Sequence, residues 1–514
     1  MGVTHSDWLL RSAAGRSATG RGSLDCCLSI SAYLCHLWLI KALRIARMNK
    51  RIHLIGICGT AMATLAALLK RRGLDVQGSD EHVYPPMSDF LVAEGIPTLQ
   101  GYHAEHIDDG IDLVVVGNAI SRGNAELEVV LDRKIRRVSL PEAIRDEFLW
   151  DAQSIVIAGT HGKTTTTSLA GWLLTHGGKD PTVLIGGIAR NFGEGGSSYR
   201  VGAVNGPFVI EGDEYDSAFF DKTAKFLKYL PDIAVINNIE FDHADIYPDL
   251  DAVRLAFRRL VNLVPRRGLT LIGADSSDAA ALAKAALSRV QTFGVAEGLD
   301  WRAADIVPRQ DSTQFRVWFQ QTDCGLFSVP LAGVHNVKNA LASIAVAREC
   351  GVDLDVAREG LSAFLGVKRR LEVVGTQRGV VVYDDFAHHP TAVAETLAAL
   401  RAAHPEARIW AVFEPRSASS CRRIFQDDFA SAFARADQVV IASVFRSSLP
   451  AAERLSEDQL VQDLSAAGVA ARHLPDVATI VQAIAAEAQP GDRVVIMSNG
   501  GFGGIHGKLL AALA

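Results

Sequence analysis

Beyond residue 50 the chain repeats one rhythm: a short unbroken apolar run, a glycine-containing turn, then apolar positions at helical spacing. Residues 51–57 (RIHLIGI) predict a strand, residues 62–69 a helix that stops at Gly73, and residues 76–80 (VQGSD) the end of a second strand. Residues 113–116 (LVVV) predict another buried strand, entering a Gly117-Asn118 turn. The rhythm restarts at 154–158 and again at 380–383. Apolar strands alternating with helices form parallel sheets covered on both faces. The expected fold class is α/β, in three domains at 48–147, 148–366 and 367–514. No repeat of solenoid period and no low-complexity tract interrupts the pattern.

Composition narrows the classes. A chain of 514 residues suits about three domains. Apolar residues make up 48% and charged residues 21%, which excludes a disordered, collagen-like or coiled-coil chain. A net charge of −6 excludes nucleic-acid binding driven by bulk charge. The seven cysteines include no CxxC pair, which excludes a zinc ribbon or thioredoxin motif and fits a reducing cytoplasm. Residues 1–47 differ from the rest: six Arg/Lys stand against two acids, and residues 26–40 carry no formal charge. Those 15 residues fall short of the ~20 needed to cross a bilayer, and no small-residue cleavage site follows. The expectation is an extension upstream of a start at Met48, with a targeting segment or a membrane-touching helix as alternatives. Neither a membrane nor a nucleic acid is expected as a partner.

Chemistry enters at residue 159. A buried strand at 155–158 runs into Gly159-Thr160-His161-Gly162-Lys163-Thr164-Thr165-Thr166, and an apolar helix is expected from Leu169. Strand, glycine-rich turn and helix point backbone N–H groups and a helix N-terminus at phosphate. Lys163 would reach the β- and γ-phosphates and the Thr164 hydroxyl would bind Mg²⁺. Ile157 stands where the usual pattern has its first glycine. Further on, Glu211, Asp213, Glu214 and Asp216 place four carboxylates in six residues after a strand. Such a cluster needs a cation, and hard oxygen ligands beside phosphate suit Mg²⁺. Asn237-Asn238-Ile239-Glu240-Phe241-Asp242-His243 follows another buried strand, so all three segments lie at strand C-termini, where such sheets bind ligands.

These motifs together resemble the Mur ligases, the amide-forming ligases of peptidoglycan synthesis, over essentially all of 48–514. The resemblance implies an N-terminal Rossmann-like UDP-sugar domain, a central P-loop ATPase domain with a mostly parallel sheet, and a C-terminal Rossmann-like acceptor domain. ATP and Mg²⁺ are the implied cofactors. Glu214 would bind Mg²⁺, and His243 would help hold a second Mg²⁺ or the substrate end of the site. In Gly333-Val334-His335-Asn336-Val337-Lys338-Asn339-Ala340, Asn336 and Asn339 would sit near adenine, although helix capping by asparagine is an alternative. Arg370 would reach the γ-phosphate, with a solvated basic linker as the alternative for Arg369 and Arg370, and Asp385 of Asp384-Asp385-Phe386-Ala387-His388-His389-Pro390 would lie near the ribose. The implied catalytic set is Lys163, Glu214, His243 and Arg370.

The first domain carries Gly56-Ile57-Cys58-Gly59-Thr60, a partial glycine fingerprint whose second glycine is offset. It is weak evidence for a dinucleotide-dependent oxidoreductase. The resemblance assigns Gly56, Gly59, Thr60, Asp80, Asn118 and Ser121 to UDP-N-acetylmuramate instead. Some family members carry a carbamylated lysine just after the histidine, but no lysine occurs between Lys228 and Lys284. That favours the branch adding the first residue or residues. Residues 215–225 (YDSAFFDKTAK), 413–417 (FEPRS) and 498–506 (SNGGFGGIH) resemble the tripeptide-adding ligases more than the L-alanine-adding ones. Arg416, Asn499 and His506 are therefore expected on a murein tripeptide, with Arg416 as a carboxylate clamp. The glycine run at 500–504 also reads as a tight strand-to-helix turn without a ligand. The expected state is a monomer or weak homo-oligomer, and the remaining alternative class is a non-catalytic nucleotide-sensing module.

Overall fold

The computed structural model describes residues 50–84, 87–445 and 449–514. The expected 1–47 extension and the start at Met48 lie outside the described residues. The chain divides into two compact units. One contains residues 50–59, Ala66–Val115 and Gly123–Arg137; the other contains Thr60–Leu65, Val116–Arg122 and Val138–Ala514.

Most of a five-stranded sheet lies in the first unit, in the order Thr98–Gln100, Asp75–Asp80, Arg51–Ile55, Leu113–Val116, Arg137–Ser139, of which Val116, Val138 and Ser139 count to the second. Leu113–Val116 is buried at every position, so its side chains are covered on both faces. A buried polar knot ties the sheet to its flanking helix. Glu126, on the helix Ala125–Asp132, is fully buried. It accepts from Ser79 Oγ at 2.5 Å, and His53 Nε2 and His106 Nδ1 lie at 3.2 and 2.7 Å. Burial pushes the Glu126 pKa up, but hydrogen bonds from His53, Ser79 and His106 outweigh it and hold the carboxyl below its usual range.

The second unit carries two large sheets and a two-stranded antiparallel one, Asp216–Ala218 with Asp221–Ala224. The larger has ten strands, ordered Thr322–Val329, Thr313–Phe319, Trp301–Pro308, Arg289–Gly294, Leu269–Gly273, Ile233–Ile236, Gln153–Ala158, Pro207–Gly212, Thr182–Ala189, Ser197–Arg200. Its middle is parallel, and antiparallel pairs close both ends. The smaller has six strands, Glu372–Gln377, Val380–Asp385, Arg493–Met497, Ile409–Phe413, Gln438–Ile441 and Ala470–His473, with one antiparallel pair at the Glu372 edge. With the five-stranded sheet this makes a three-domain α/β fold.

One helix starts earlier than its apolar pattern suggests. The helix expected from Leu169 begins at Lys163 and runs to His176, burying Thr164–Thr167. The β-branched run is a poor helix signal. Hydroxyl bonds to the preceding turn satisfy it here, with Thr167 Oγ1 donating to Lys163 O at 2.8 Å and Ser168 Oγ to Thr164 O at 2.7 Å. Among the described residues, no helix is long and apolar enough to cross a membrane, and the four cysteines are free.

Glu126→Ala would leave several buried donors unpaired. It is expected to lower unfolding free energy by about 3 kcal/mol in urea titrations, with Glu126→Gln milder. Equal stability of the Ala variant and the parent would contradict the role given to the knot.

Candidate active site

Three neighbouring parallel strands, Ile233–Ile236, Gln153–Ala158 and Pro207–Gly212, release their loops at the same edge. Those loops hold the glycine-rich turn, the acidic quartet and the segment 237–243. Gly159 (φ +137°) and Gly162 (φ +80°) give the turn its shape. A Cβ at Gly162 would stand 2.4 Å from Asn339 Oδ1, and one at Gly159 2.9 Å from the Asn237 Cβ. Thr160 N–H donates to Asn238 O and His161 N–H to Asn238 Oδ1, fixing the turn from the adjacent strand's loop. Thr165 is buried behind it.

Lys163 Nζ donates to Glu214 Oε1 at 2.9 Å and to the carbonyls of Gly159 and Thr160 at 2.7 and 3.0 Å. Burial pulls the Lys163 pKa down, but the charges of Glu214 and Asp213 prevail and raise it. His243 Nε2 lies 3.2 Å from the same Glu214 oxygen, and its backbone is left-handed at φ +54°. Burial lowers its pKa, yet the hydrogen bond and charge of Glu214, with Asp242, lift it to about 9. Asp213 is held near 2 against burial by Lys225 and Lys163. Thr164 Oγ1 donates to Glu211 Oε1 at 3.1 Å and receives Arg370 Nη2 at 3.3 Å. Burial raises the pKa of Glu211 and lowers that of Arg370.

A divalent cation fits this corner. Glu214 Oε2 is buried and has no hydrogen-bond partner, and ligand atoms of Asp213, Glu214 and His243 lie within 4.8 Å of one another. Thr164 stands on the other side of Lys163 in the sequence, at the helix N-terminus.

Beside the turn opens a cavity of about 330 Å³, lined by His161, Asn237, His335, Lys338, Asn339 and Thr391 among others. Asn339 faces it, but Asn336 does not. The Asn336 amide donates to Ala332 O at 2.8 Å and its Oδ1 accepts from Asn339 Nδ2 at 3.1 Å. Asn336 thus braces Asn339 from behind, while His335 and Lys338 of the same motif reach the wall. Glu240, between His161 Nε2 at 3.2 Å and Thr391 Oγ1 at 2.6 Å, links the central sheet to the third domain.

In the third domain the two carboxylate oxygens of Asp385 accept from the N–H groups of Leu371 and Ala387, at 2.7 and 2.8 Å. Thr396 Oγ1 also donates to it at 3.3 Å, so its observed partners are the linker, its own loop and the helix that follows. Arg369 is tied to the Ser498 and Gly500 carbonyls, which removes the alternative of a solvated linker residue. Arg416 stacks on Phe445 at 3.7 Å and lies 3.5 Å from Glu414. Asn499 Oδ1 and His506 Nε2 are buried without hydrogen-bond partners; His506 stands 3.3 Å from Asp384 without bonding geometry.

In the first unit, Gly56 N–H donates to Ser79 O, Cys58 N–H donates to Asp80 Oδ2 at 2.8 Å, and Gly59 is exposed. In the second unit, Thr60 and Ser121 are exposed, and Asn118 Nδ2 donates to Asp216 Oδ1 at 3.1 Å.

Family models match almost the whole described chain: the Mur ligase family catalytic domain at residues 51–147, the Mur ligase middle domain at 157–347 and the Mur ligase glutamate ligase domain at 369–500. A relative from Escherichia coli, UDP-N-acetylmuramate--L-alanyl-gamma-D-glutamyl-meso-2,6-diaminoheptandioate ligase, is 42% identical over 469 residues, covering 90% of this chain and 98% of its own.

The chain belongs to the Mur ligase family.

Like other Mur ligases it is an ATP-dependent ligase forming C–N bonds. The crystal structure of a murein peptide ligase from Psychrobacter arcticus superimposes with a TM-score of 0.67 at 37% identity, covering 90% of this chain and 99% of that one. A UDP-N-acetylmuramate--L-alanine ligase from Salinibacter ruber is 34% identical, covering 88% of this chain and 92% of its own.

Several residues of this Mur ligase site escape sequence reasoning. Glu211 was visible only as one of four clustered acids, and nothing local marks it as the partner of Thr164. Glu240 and His389 meet across about 150 residues of chain. Burial, followed by the charge of His161, lowers the His389 pKa to about 4. A histidine with an ordinary value near 6.5 takes up a proton in the unfolded chain before the folded one does. Stability is therefore expected to fall as pH drops from 6.5 towards 4, and His389→Gln should flatten that slope in melting curves. An unchanged slope would refute the assignment.

Proposed function

We propose that this ligase joins the lactyl carboxylate of UDP-N-acetylmuramate to the amine of L-alanyl-γ-D-glutamyl-meso-diaminopimelate. The observation that carries this acceptor is the 42% identity, over nearly full length, to the Escherichia coli ligase named for that tripeptide. A second reading, with L-alanine as acceptor, is favoured by the 34% identical Salinibacter ruber relative. The domains take the divisions 48–147 for the UDP-sugar, 148–366 for ATP and 367–514 for the amine.

In the first step a carboxylate oxygen attacks the γ-phosphorus, the bond to the bridging oxygen breaks, and ADP leaves. In the second, the amine nitrogen attacks the acyl carbon and loses a proton, the bond to the phosphate oxygen breaks, and inorganic phosphate leaves. Lys163 and Arg370 supply fixed positive charge along the phosphate chain, from a turn and a linker that meet at Thr164. Thr164, Glu214 and His243 would hold Mg²⁺, which when bound neutralises phosphate charge and polarises the γ-phosphoryl group. The N–H groups of 159–165 cradle phosphate, Asn339 borders the nucleotide cavity with Asn336 behind it, and Asp385 holds the linker carrying Arg370. Gly56, Gly59, Thr60, Asp80, Asn118 and Ser121 take the UDP-sugar; Arg416, Asn499 and His506 take the peptide. We infer a cytoplasmic monomer or weak homo-oligomer acting in peptidoglycan recycling, with neither nucleic acid nor membrane as partner.

Phosphate release from ATP is expected only with UDP-N-acetylmuramate and tripeptide together. If L-alanine supports it as well as the tripeptide does, the acceptor assignment fails. Lys163→Ala and Glu214→Ala should each lower kcat by about 10²-fold or more; near-parental turnover in either would rule out the site.

A further inference from the structure

Arg369 and Arg370 are neighbours in the linker, but their side chains serve opposite sides of the site. Arg370 Nη2 donates to Thr164 Oγ1 on the phosphate-loop helix at 3.3 Å. Arg369 Nη2 donates to two carbonyls of one loop, Ser498 O at 2.5 Å and Gly500 O at 2.8 Å, and its Nε lies 3.4 Å from Asp384 Oδ2. The guanidinium carbons of both arginines lie 5.0 Å from the Phe386 ring centroid. A rigid planar fork suits this pairing of two fixed acceptors and a carboxylate.

The backbone makes the divergence possible. Arg369 (φ +61°) and Leu371 (φ +46°) are both left-handed, a conformation that residues other than glycine keep only when their surroundings hold it. Here Arg369 N–H donates to Glu372 Oε2 and Leu371 N–H to Asp385 Oδ2, each at 2.7 Å. Phe386 N–H closes onto Arg369 O at 2.9 Å.

The loop that Arg369 holds is packed against Arg416. A Cβ on Gly500 would stand 2.1 Å from Arg416 Nε, so the loop backbone and that side chain lie in close approach. Ser498 Oγ also donates to Glu414 Oε2, at 2.5 Å, in the same segment as Arg416. We infer that Arg369 is a positioning residue for the amine substrate. It sets the Ser498–Gly500 backbone against Arg416, while the next residue answers to the phosphate loop. One dipeptide thus registers the acceptor pocket on the activation site. This rests on the reading that Arg416 and residues 498–506 receive the amine.

Steady-state kinetics of Arg369→Met and Arg369→Lys test it, with each of the three substrates varied in turn. The Met variant should raise the KM for tripeptide about tenfold or more, through loss of two charge-assisted hydrogen bonds. The Lys variant, with one ammonium for two carbonyls, should show a smaller rise. The KM values for ATP and UDP-N-acetylmuramate should stay close to the parent's. An unchanged tripeptide KM in both variants, or three KM values rising in parallel, would overturn the inference. The Lys variant keeps the charge beside Asp384 and carries the test if the Met variant does not fold. Failure of the acceptor reading is separately visible, as L-alanine supporting the parent enzyme as well as tripeptide does.

Discussion

The Lys163–Glu214 ion pair, 2.9 Å long and largely shut off from water, is the constraint around which the loops of the central sheet are arranged. Glu211, Asp213 and Glu214 stand within four residues at the end of one buried strand. Three carboxylates so close repel one another, and burial adds a desolvation cost that only fixed cations offset. Lys163 answers Glu214, Lys225 answers Asp213, and His243 approaches Glu214 from the neighbouring loop. Glu214 still keeps one buried oxygen without a partner. A buried acceptor left open beside a lysine and a phosphate-loop threonine is an arrangement that stability alone does not favour. Under the proposed function, that open oxygen is where a metal ion would bind.

Contacts between the central and third domains follow from the same charge pattern. Arg370 completes the ring around Thr164, and Glu240 takes a hydrogen bond from Thr391 while His389 meets the Phe241 carbonyl at 3.1 Å. Asp242 is pushed up by burial, but His243, His388 and His389 outweigh that and hold it low. The third domain is thus docked in part through groups that line the cavity. Other contacts lie elsewhere, among them the Arg190–Glu372 ion pair and Lys368 N–H donating to Ile188 O at 2.9 Å.

Much of this was legible in the sequence because it is local. The strand before Gly159, the turn itself and the acidic quartet are contiguous, and backbone geometry alone aims them at phosphate. The apolar runs gave strands at Arg51–Ile55, Leu113–Val116 and Val380–Asp385 because strands buried at most positions leave little polar face to confuse the signal. The helix after Gly162 began six residues before Leu169 because threonine hydroxyls, invisible to a hydrophobic pattern, satisfy that turn. A solvated charge stayed an alternative for Arg369 because its partners lie about 130 residues further on. Asn336 turned inward for the same kind of reason: its partners Ala332 and Asn339 are near in sequence, but which of the two amides faces the cavity depends on how Thr166 packs behind them.

Glu214, paired with Lys163 at 2.9 Å and with one oxygen open, is the group on which a metal–nucleotide complex would gain its hold. Manganese, a paramagnetic stand-in for Mg²⁺, allows this to be read directly by electron paramagnetic resonance titration in the presence of ATP. The parent protein should bind Mn²⁺ with ATP at least tenfold more tightly than Glu214→Gln, with both proteins equally folded. Equal affinity in the two would contradict the account.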